Sequence, residues 1–144
     1  MTVRRPDGLV EERLSYSVIG AFFTVHRGLG FGFLETVYSR ALERELHRRG
    51  HRVGREVAVD VHFAGARVAH QRIDMIVDDR LIVEIKATDQ LHRDASRQLY
   101  NYLRATNLEV GLLLHFGRSA DFYRVICENR FKARPSDSAP PSNT

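Results

Sequence analysis

Arg72-Ile73-Asp74-Met75-Ile76-Val77-Asp78-Asp79-Arg80-Leu81-Ile82-Val83-Glu84-Ile85-Lys86 is the stretch from which the fold is read. Two apolar runs flank Asp78-Asp79-Arg80, a polar three-residue loop of the kind that closes a β-hairpin. Pairing about that loop sets Val77 against Leu81, Met75 against Val83 and Ile73 against Ile85, so that all six apolar side chains share one buried face. A slip of one residue would scatter them, and the pattern therefore fixes the register. The same register sets Asp74 opposite Glu84 on the other face, with Ile76 and Ile82 beside them. Like charges opposed across a sheet repel. One of the two acids should hold its proton unless a cation lies between them. Lys86, two residues beyond Glu84, is expected on the same side. Two acids and a lysine then converge, and a small set of hard oxygen donors suits Mg2+ or Mn2+ better than Zn2+. The competing reading is a hairpin with one plain polar face whose charges pair with neighbours. Against it stands the otherwise apolar run 81–85 in which Glu84 is set.

Before this hairpin the hydrophobic period is 3.6. Residues 9–29 read as an amphipathic helix with Leu14, Val18, Phe22 and Val25 inward. Gly28, Gly30 and Gly32 punctuate a tight connection. A second helix is expected over residues 33–49, with Leu34, Val37, Ala41 and Leu46 toward the core and Gly50 as the residue just past its end. The period then falls to 2, and Val57, Val59, Val61 and Phe63 predict a strand with one wet face that turns at Ala64-Gly65-Ala66. Further strands are expected over 67–77 and 81–87, a helix over 91–106, and strands over 110–116 and 122–126. The order is ααβββαββ, a mixed α/β architecture. One domain is expected over 1–132. Residues 133–144 hold three of the four prolines and no aromatic residue, and read as a disordered tail.

Composition excludes several function classes. The chain of 144 residues has a single cysteine, Cys127, so no internal disulfide framework exists and a reducing compartment fits. The longest apolar candidate, residues 18–25, is far shorter than a membrane span. No signal-peptide pattern opens the sequence, and a soluble, cytoplasmic protein is expected. The histidines show no metal-ligand spacing, and Gly28-Leu29-Gly30-Phe31-Gly32 follows a helix rather than a strand, which argues against a nucleotide loop. A net charge of +4 is compatible with a polyanionic partner, although many ordinary domains carry as much. Of 22 basic residues only Lys86 and Lys132 are lysines, so lysine at position 86 stands out against an arginine background.

Two helices carry further candidates. Glu35 falls in the first turn of the second helix, where the dipole alone would favour a carboxylate. Tyr38 lies one turn on, where packing would also explain it. Gln98 and Tyr102 share a face of the third helix at i and i+4. They suit hydrogen bonds to a phosphate or a metal-bound water, or serve as polar shoulders of an ordinary amphipathic helix.

Taken together, Gly32, Glu35 and Tyr38, then Asp74 with Glu84-Ile85-Lys86, then Gln98-Leu99-Tyr100-Asn101-Tyr102-Leu103 resemble the GxxExxY proteins of the PD-(D/E)xK nuclease superfamily over residues 9–127. The resemblance implies a restriction-endonuclease-like core and a metal-dependent nuclease that hydrolyses phosphodiester bonds in nucleic acid, with DNA favoured. It implies Asp74 and Glu84 as metal ligands with the Ile85 carbonyl, Lys86 at the attacking water, Glu35 as an accessory acid and Gln98 in support, alongside Tyr38 and Tyr102. The helix carries Ala95 where relatives have a histidine three residues before the glutamine, and His92 lies one turn earlier. Arg48, Arg49 and Arg52, within a cluster that includes Arg44 and Arg55, are the candidate phosphate contacts. A nuclease fold that binds nucleic acid without cutting, or cuts only with a partner, is the alternative. A homodimer or a protein partner is left open.

Overall fold

The computed structural model describes residues 10–132. The tail expected over 133–144 lies outside the described residues. Helix α1 covers Glu12–Leu29 and α2 Glu35–Arg48. Strands β1 (Val53–Phe63), β2 (Ala66–Val77) and β3 (Leu81–Lys86) follow, then α3 (Ala95–Arg104), β4 (Val110–Phe116), β5 (Ala120–Ile126) and a 3-10 turn at Asn129–Phe131. The expected order ααβββαββ is present.

The five strands form one mixed sheet in chain order. The β1–β2, β2–β3 and β4–β5 pairs are antiparallel, whereas β3 and β4 run parallel. That parallel pair needs a crossover, which α3 supplies. Helices cover both faces of β3 and β4, so Leu81 to Ile85 and all of β4 are buried, as a two-sided strand requires.

Two apolar clusters result. One packs α1 and α2 against Met75, Val77, Val83, Ile85 and the even-numbered residues of β4. The other packs α3 through Leu99, Tyr102 and Leu103 against Ile82, Leu113, Ile73 and Val59. Gly111 makes the second contact close, since a Cβ there would lie 2.6 Å from Leu99 Cδ1. At the end of α2 the amides of Gly50 and His51 donate to the carbonyls of His47 and Leu46 at 3.0 Å, with Gly50 at φ +86°. This is the glycine-terminated helix end read from the sequence.

Three expectations are corrected. On α2 the buried stripe is Tyr38, Leu42 and Leu46, while Leu34 and Val37 face solvent. Both stripes satisfy the helical period, and only the position of the sheet selects between them. On β1 the strand begins at Val53 rather than Val57, and of the predicted apolar set only Val59 is buried, with Phe63 exposed near the Ala64-Gly65 turn. On β2 the register is as read, with Val77 opposite Leu81 and Met75 opposite Val83. Ile73, however, joins the α3 cluster and not the face of Met75 and Val77. The strand changes faces across Asp74. Opposite Asp74, between the Arg55–Met75 and Val57–Ile73 pairs, Glu56 adopts φ +52°, a left-handed conformation uncommon outside glycine.

Candidate active site

The change of faces places Asp74 at the point where the β2–β3 ladder gives way to side-chain hydrogen bonds. The Asp74 amide donates to Glu84 Oε1 at 3.2 Å, and the Ile85 amide donates to Asp74 Oδ2 at 2.8 Å. Each carboxylate thus holds the other strand's segment by one oxygen and keeps a second oxygen outside these bonds. Glu84 is almost fully buried and Asp74 half-buried.

This burial has the electrostatic result expected of opposed acids. Desolvation first, then the Asp74 charge, pushes the Glu84 carboxyl up to about 8, against the pull of the Asp74 amide and Lys86. Asp74 is raised by burial, opposed by the Ile85 amide and Lys86 and reinforced by Glu56. Partial burial raises Glu35 as well, opposed by Lys86 and aided by Asp74. Lys86 thus lowers, and the neighbouring acids raise, the carboxyls of Glu35, Asp74 and Glu84, which sets the four groups within electrostatic reach. Lys86 is half-buried, and among the described residues no carboxylate pairs with its ammonium within 4.0 Å.

From α3, Gln98 Nε2 donates to the Tyr102 hydroxyl at 3.0 Å. Burial raises the Tyr102 phenol, and so do the negative charges of Glu84 and Asp74, which sets this pair beside the acids. Tyr38 does not belong with them. Its ring is fully buried and stacked on Phe116 at 4.2 Å between centroids, and its hydroxyl donates to the Gly30 carbonyl. Its part is to hold the loop that leads into Glu35.

Glu56 was missed as a site residue, and Arg55, named only within the arginine cluster, lies beside it. A pocket of about 130 Å3 is lined by Glu35, Thr36, Ser39, Arg55, Glu56 and Asp74, with Ile85. Neither the alternating pattern of β1 nor any local motif marks Glu56. Its placement comes from the distortion opposite Asp74.

The three arginines named as phosphate contacts separate. Arg48 pairs with Glu45 at 2.9 Å and lines an open groove of about 650 Å3 with Arg40, Glu43, Arg44, His47 and Arg55. Arg49 is committed elsewhere: it bonds Glu45 at 2.9 Å, Thr24 Oγ1 at 3.1 Å and the Ser17 carbonyl at 3.4 Å, tying α2 to α1. Arg52 pairs with Asp79 at 3.3 Å, at the turn end of the hairpin and away from Asp74 and Glu84.

Among the described residues no group of three or more His, Cys, Asp or Glu side chains forms a cage. A buried and a half-buried carboxylate that repel each other are nevertheless the kind of hard-oxygen site that a small divalent ion relieves, with water completing its shell. The residues fit such an ion.

The model of the PD-(D/E)XK nuclease superfamily matches residues 12–125. The chain belongs to this superfamily. The narrower likeness to GxxExxY proteins rests on the sequence motifs at Gly32, Glu35 and Tyr38, at Asp74 with Glu84-Ile85-Lys86, and at residues 98–103. Among solved structures, the crystal structure of SSO0001 is similar in fold, with a TM-score of 0.52 and 19% identity over 82% of this chain. The chain spans 59% of the length of that protein. The comparison with curated proteins finds no match. Superfamily membership points to nuclease-type hydrolysis, and PD-(D/E)XK nucleases typically use divalent metal ions. Among the described residues no helix is long and apolar enough to cross a membrane.

Proposed function

We propose that this protein is a metal-dependent nuclease that hydrolyses phosphodiester bonds in nucleic acid, DNA being the favoured polymer. The observation that carries this reading is the buried Glu84 set against Asp74 at the end of the β2–β3 ladder, beside Lys86 and Glu35. A structural role gives no return for placing an acid at 4% exposure opposite another acid.

One oxygen of Asp74, one of Glu84 and the Ile85 carbonyl would hold Mg2+ or Mn2+, whose chemistry is to neutralise phosphate charge and acidify a bound water. Lys86 donates to the attacking water and to a non-bridging phosphate oxygen, so that its charge opposes the charge gained in the transition state. Glu35, raised by partial burial, serves as an accessory acid. The Gln98–Tyr102 pair offers polar support from α3. Arg44 and Arg48 hold the polymer through its phosphates along the groove, while Arg49 is taken up by Glu45, Thr24 and Ser17. Binding of this kind weakens steeply with salt and carries little base specificity.

The test is cleavage of a labelled panel with Mg2+ or Mn2+: linear and circular duplex, single-stranded DNA and RNA. The wild type runs beside Glu84→Ala. Metal-dependent cutting by the wild type alone supports the nuclease. Equal inertness of both proteins on every substrate, with binding retained, moves the reading to a non-cleaving or partner-dependent nucleic-acid-binding domain.

A further inference from the structure

The loop between α1 and α2 exposes an unusual amount of apolar surface next to the acids. Phe31 is 41% exposed, Phe33 46% and Leu34 76%, and Glu35 follows directly. Single exposed apolar residues need no explanation, but a contiguous patch does. This one is also held in place. Gly30 at φ +73° and Gly32 at φ +115° take backbone conformations that other residues rarely adopt. Tyr38 fixes the loop from beneath, its hydroxyl donating to the Gly30 carbonyl and accepting from the Phe33 amide at 3.3 Å. The Phe33 ring meets the Tyr38 ring edge-on at 6.1 Å, and the Arg118 guanidinium lies 5.1 Å from the centre of the Phe31 ring. Rings held this way lose little freedom on binding.

The same helix carries positive charge in the other direction. Arg40, Arg44 and Arg48 follow at four-residue steps, about 6 Å apart along the axis. Arg40 and Arg44 have no ion-pair partner among the described residues. The groove's one acid, Glu43, is neutralised by Arg55 at 2.5 Å. Arg55 borders both this groove and the acidic pocket, so the two adjoin at its side chain. Charge complementarity on one side of Glu35 selects a polyanion. On the other side the exposed Phe31, Phe33 and Leu34 offer apolar surface to what that polyanion presents.

Resting on the nuclease reading, we infer that the site takes a strand whose bases are unpaired where it crosses Glu35. Its phosphates follow the Arg40–Arg44–Arg48 groove, and its bases stack on Phe31, Phe33 and Leu34. In a duplex the base faces are covered by their neighbours and only their edges reach the grooves, so such a platform would have nothing to stack against. Unpaired bases expose faces that stack on aromatic side chains whatever their sequence.

The test is equilibrium binding of the full chain in EDTA, followed by fluorescence anisotropy. Three probes are used: a labelled single strand, the same strand in a blunt duplex, and a duplex with a single-stranded tail. The single strand and the tailed duplex should bind at least about tenfold more tightly than the blunt duplex. Leu34→Ala and Phe31→Ala should each lose roughly five- to tenfold on the single strand and nothing on the blunt duplex. Phe33→Leu, which keeps an apolar group against Tyr38, should lose affinity in the same selective way. Arg44→Ala should weaken all three and reduce the salt slope by about one. Equal affinity for blunt duplex, losses shared by all probes, or no binding to any probe would overturn the inference. So would a sedimentation change from dimer to monomer in Leu34→Ala with binding intact, which would make the patch a contact between copies. Cleavage keeps the two readings apart. Selective binding without Glu84-dependent cutting sinks the nuclease and leaves the strand preference, whereas cutting of blunt duplex with no preference does the reverse.

Discussion

Glu84 is costly to the metal-free protein. Its folded-state value near 8 lies above the ordinary 4.5, so between those values the folded chain binds more protons than the unfolded chain. The stability this provides is complete below about pH 4.5 and is lost as pH rises through about 8. Asp74 and Glu35 are raised too and act in the same direction. Thermal melts in EDTA should therefore show the melting temperature falling from pH 5 to pH 8. Glu84→Gln, which keeps an oxygen for the Asp74 amide, should flatten that fall and leave the protein as stable or more so at pH 8. A sharp drop in its melting temperature would show that Glu84 does not strain the apo fold. Mg2+ should raise the wild-type melting temperature by several degrees at pH 8, and Asp74→Asn should abolish the rise.

Asp78 has the opposite sign. Burial pulls its carboxyl upward, but the Arg52 amide at 2.8 Å and His51 at 2.7 Å together bring it below the ordinary range. Its contribution is present above the unfolded value and is lost as pH falls through the lower folded one. Asp78→Ala should cost about 1 kcal/mol at neutral pH, with solvent screening holding the figure down. In acid unfolding that difference from wild type should shrink as pH falls below the ordinary aspartate range.

The elements differ in how plainly the sequence announced them. The β2–β3 register was legible because turn length and alternation are both local, and both gave Met75 opposite Val83. The opposition of Asp74 to Glu84 followed from it. On α2 the apolar residues offer two stripes, and the buried one, Tyr38, Leu42 and Leu46, is selected by a sheet that residues far along the chain build. Ile73 was misplaced for a related reason, because a change of faces at Asp74 leaves no mark in a pattern of period 2. Arg49 reads as any arginine at a helix end until α1 is seen beside it, with Thr24 and Ser17 in reach. Arg49→Ala should lower stability by about 1 kcal/mol without changing nucleic-acid affinity, measured by urea melts and anisotropy together. On β4, Gly111→Ala would drive a methyl group into Leu99 of α3. We expect a loss of about 1–3 kcal/mol. A fall in cleavage rate should accompany it, since Leu99 is the neighbour of Gln98 on the helix that carries Tyr102.

Across the whole molecule, two apolar layers meet at the acids. The α1–α2 layer positions Glu35, the α3 layer positions Gln98 and Tyr102, and the sheet between them carries Asp74, Glu84 and Lys86. No single layer holds the whole constellation, which is why one motif in isolation says little and three in order on the right elements say much. The Arg40–Arg44–Arg48 groove and the acidic pocket share Arg55, and Glu35 of that pocket follows directly on the Phe31–Leu34 loop.

Met75 is anchored in one layer and Ile73 in the other, so Asp74 is pinned from both sides like an axle between two plates. Beyond that axle, residues 60–72 of the β1–β2 hairpin contain no buried side chain. Its two-residue turn at Ala64-Gly65 is therefore the place where length is cheapest to change. A lineage, or an engineer, can graft a peptide there and give the protein a new contact or a reporter while the carboxylates stay in register.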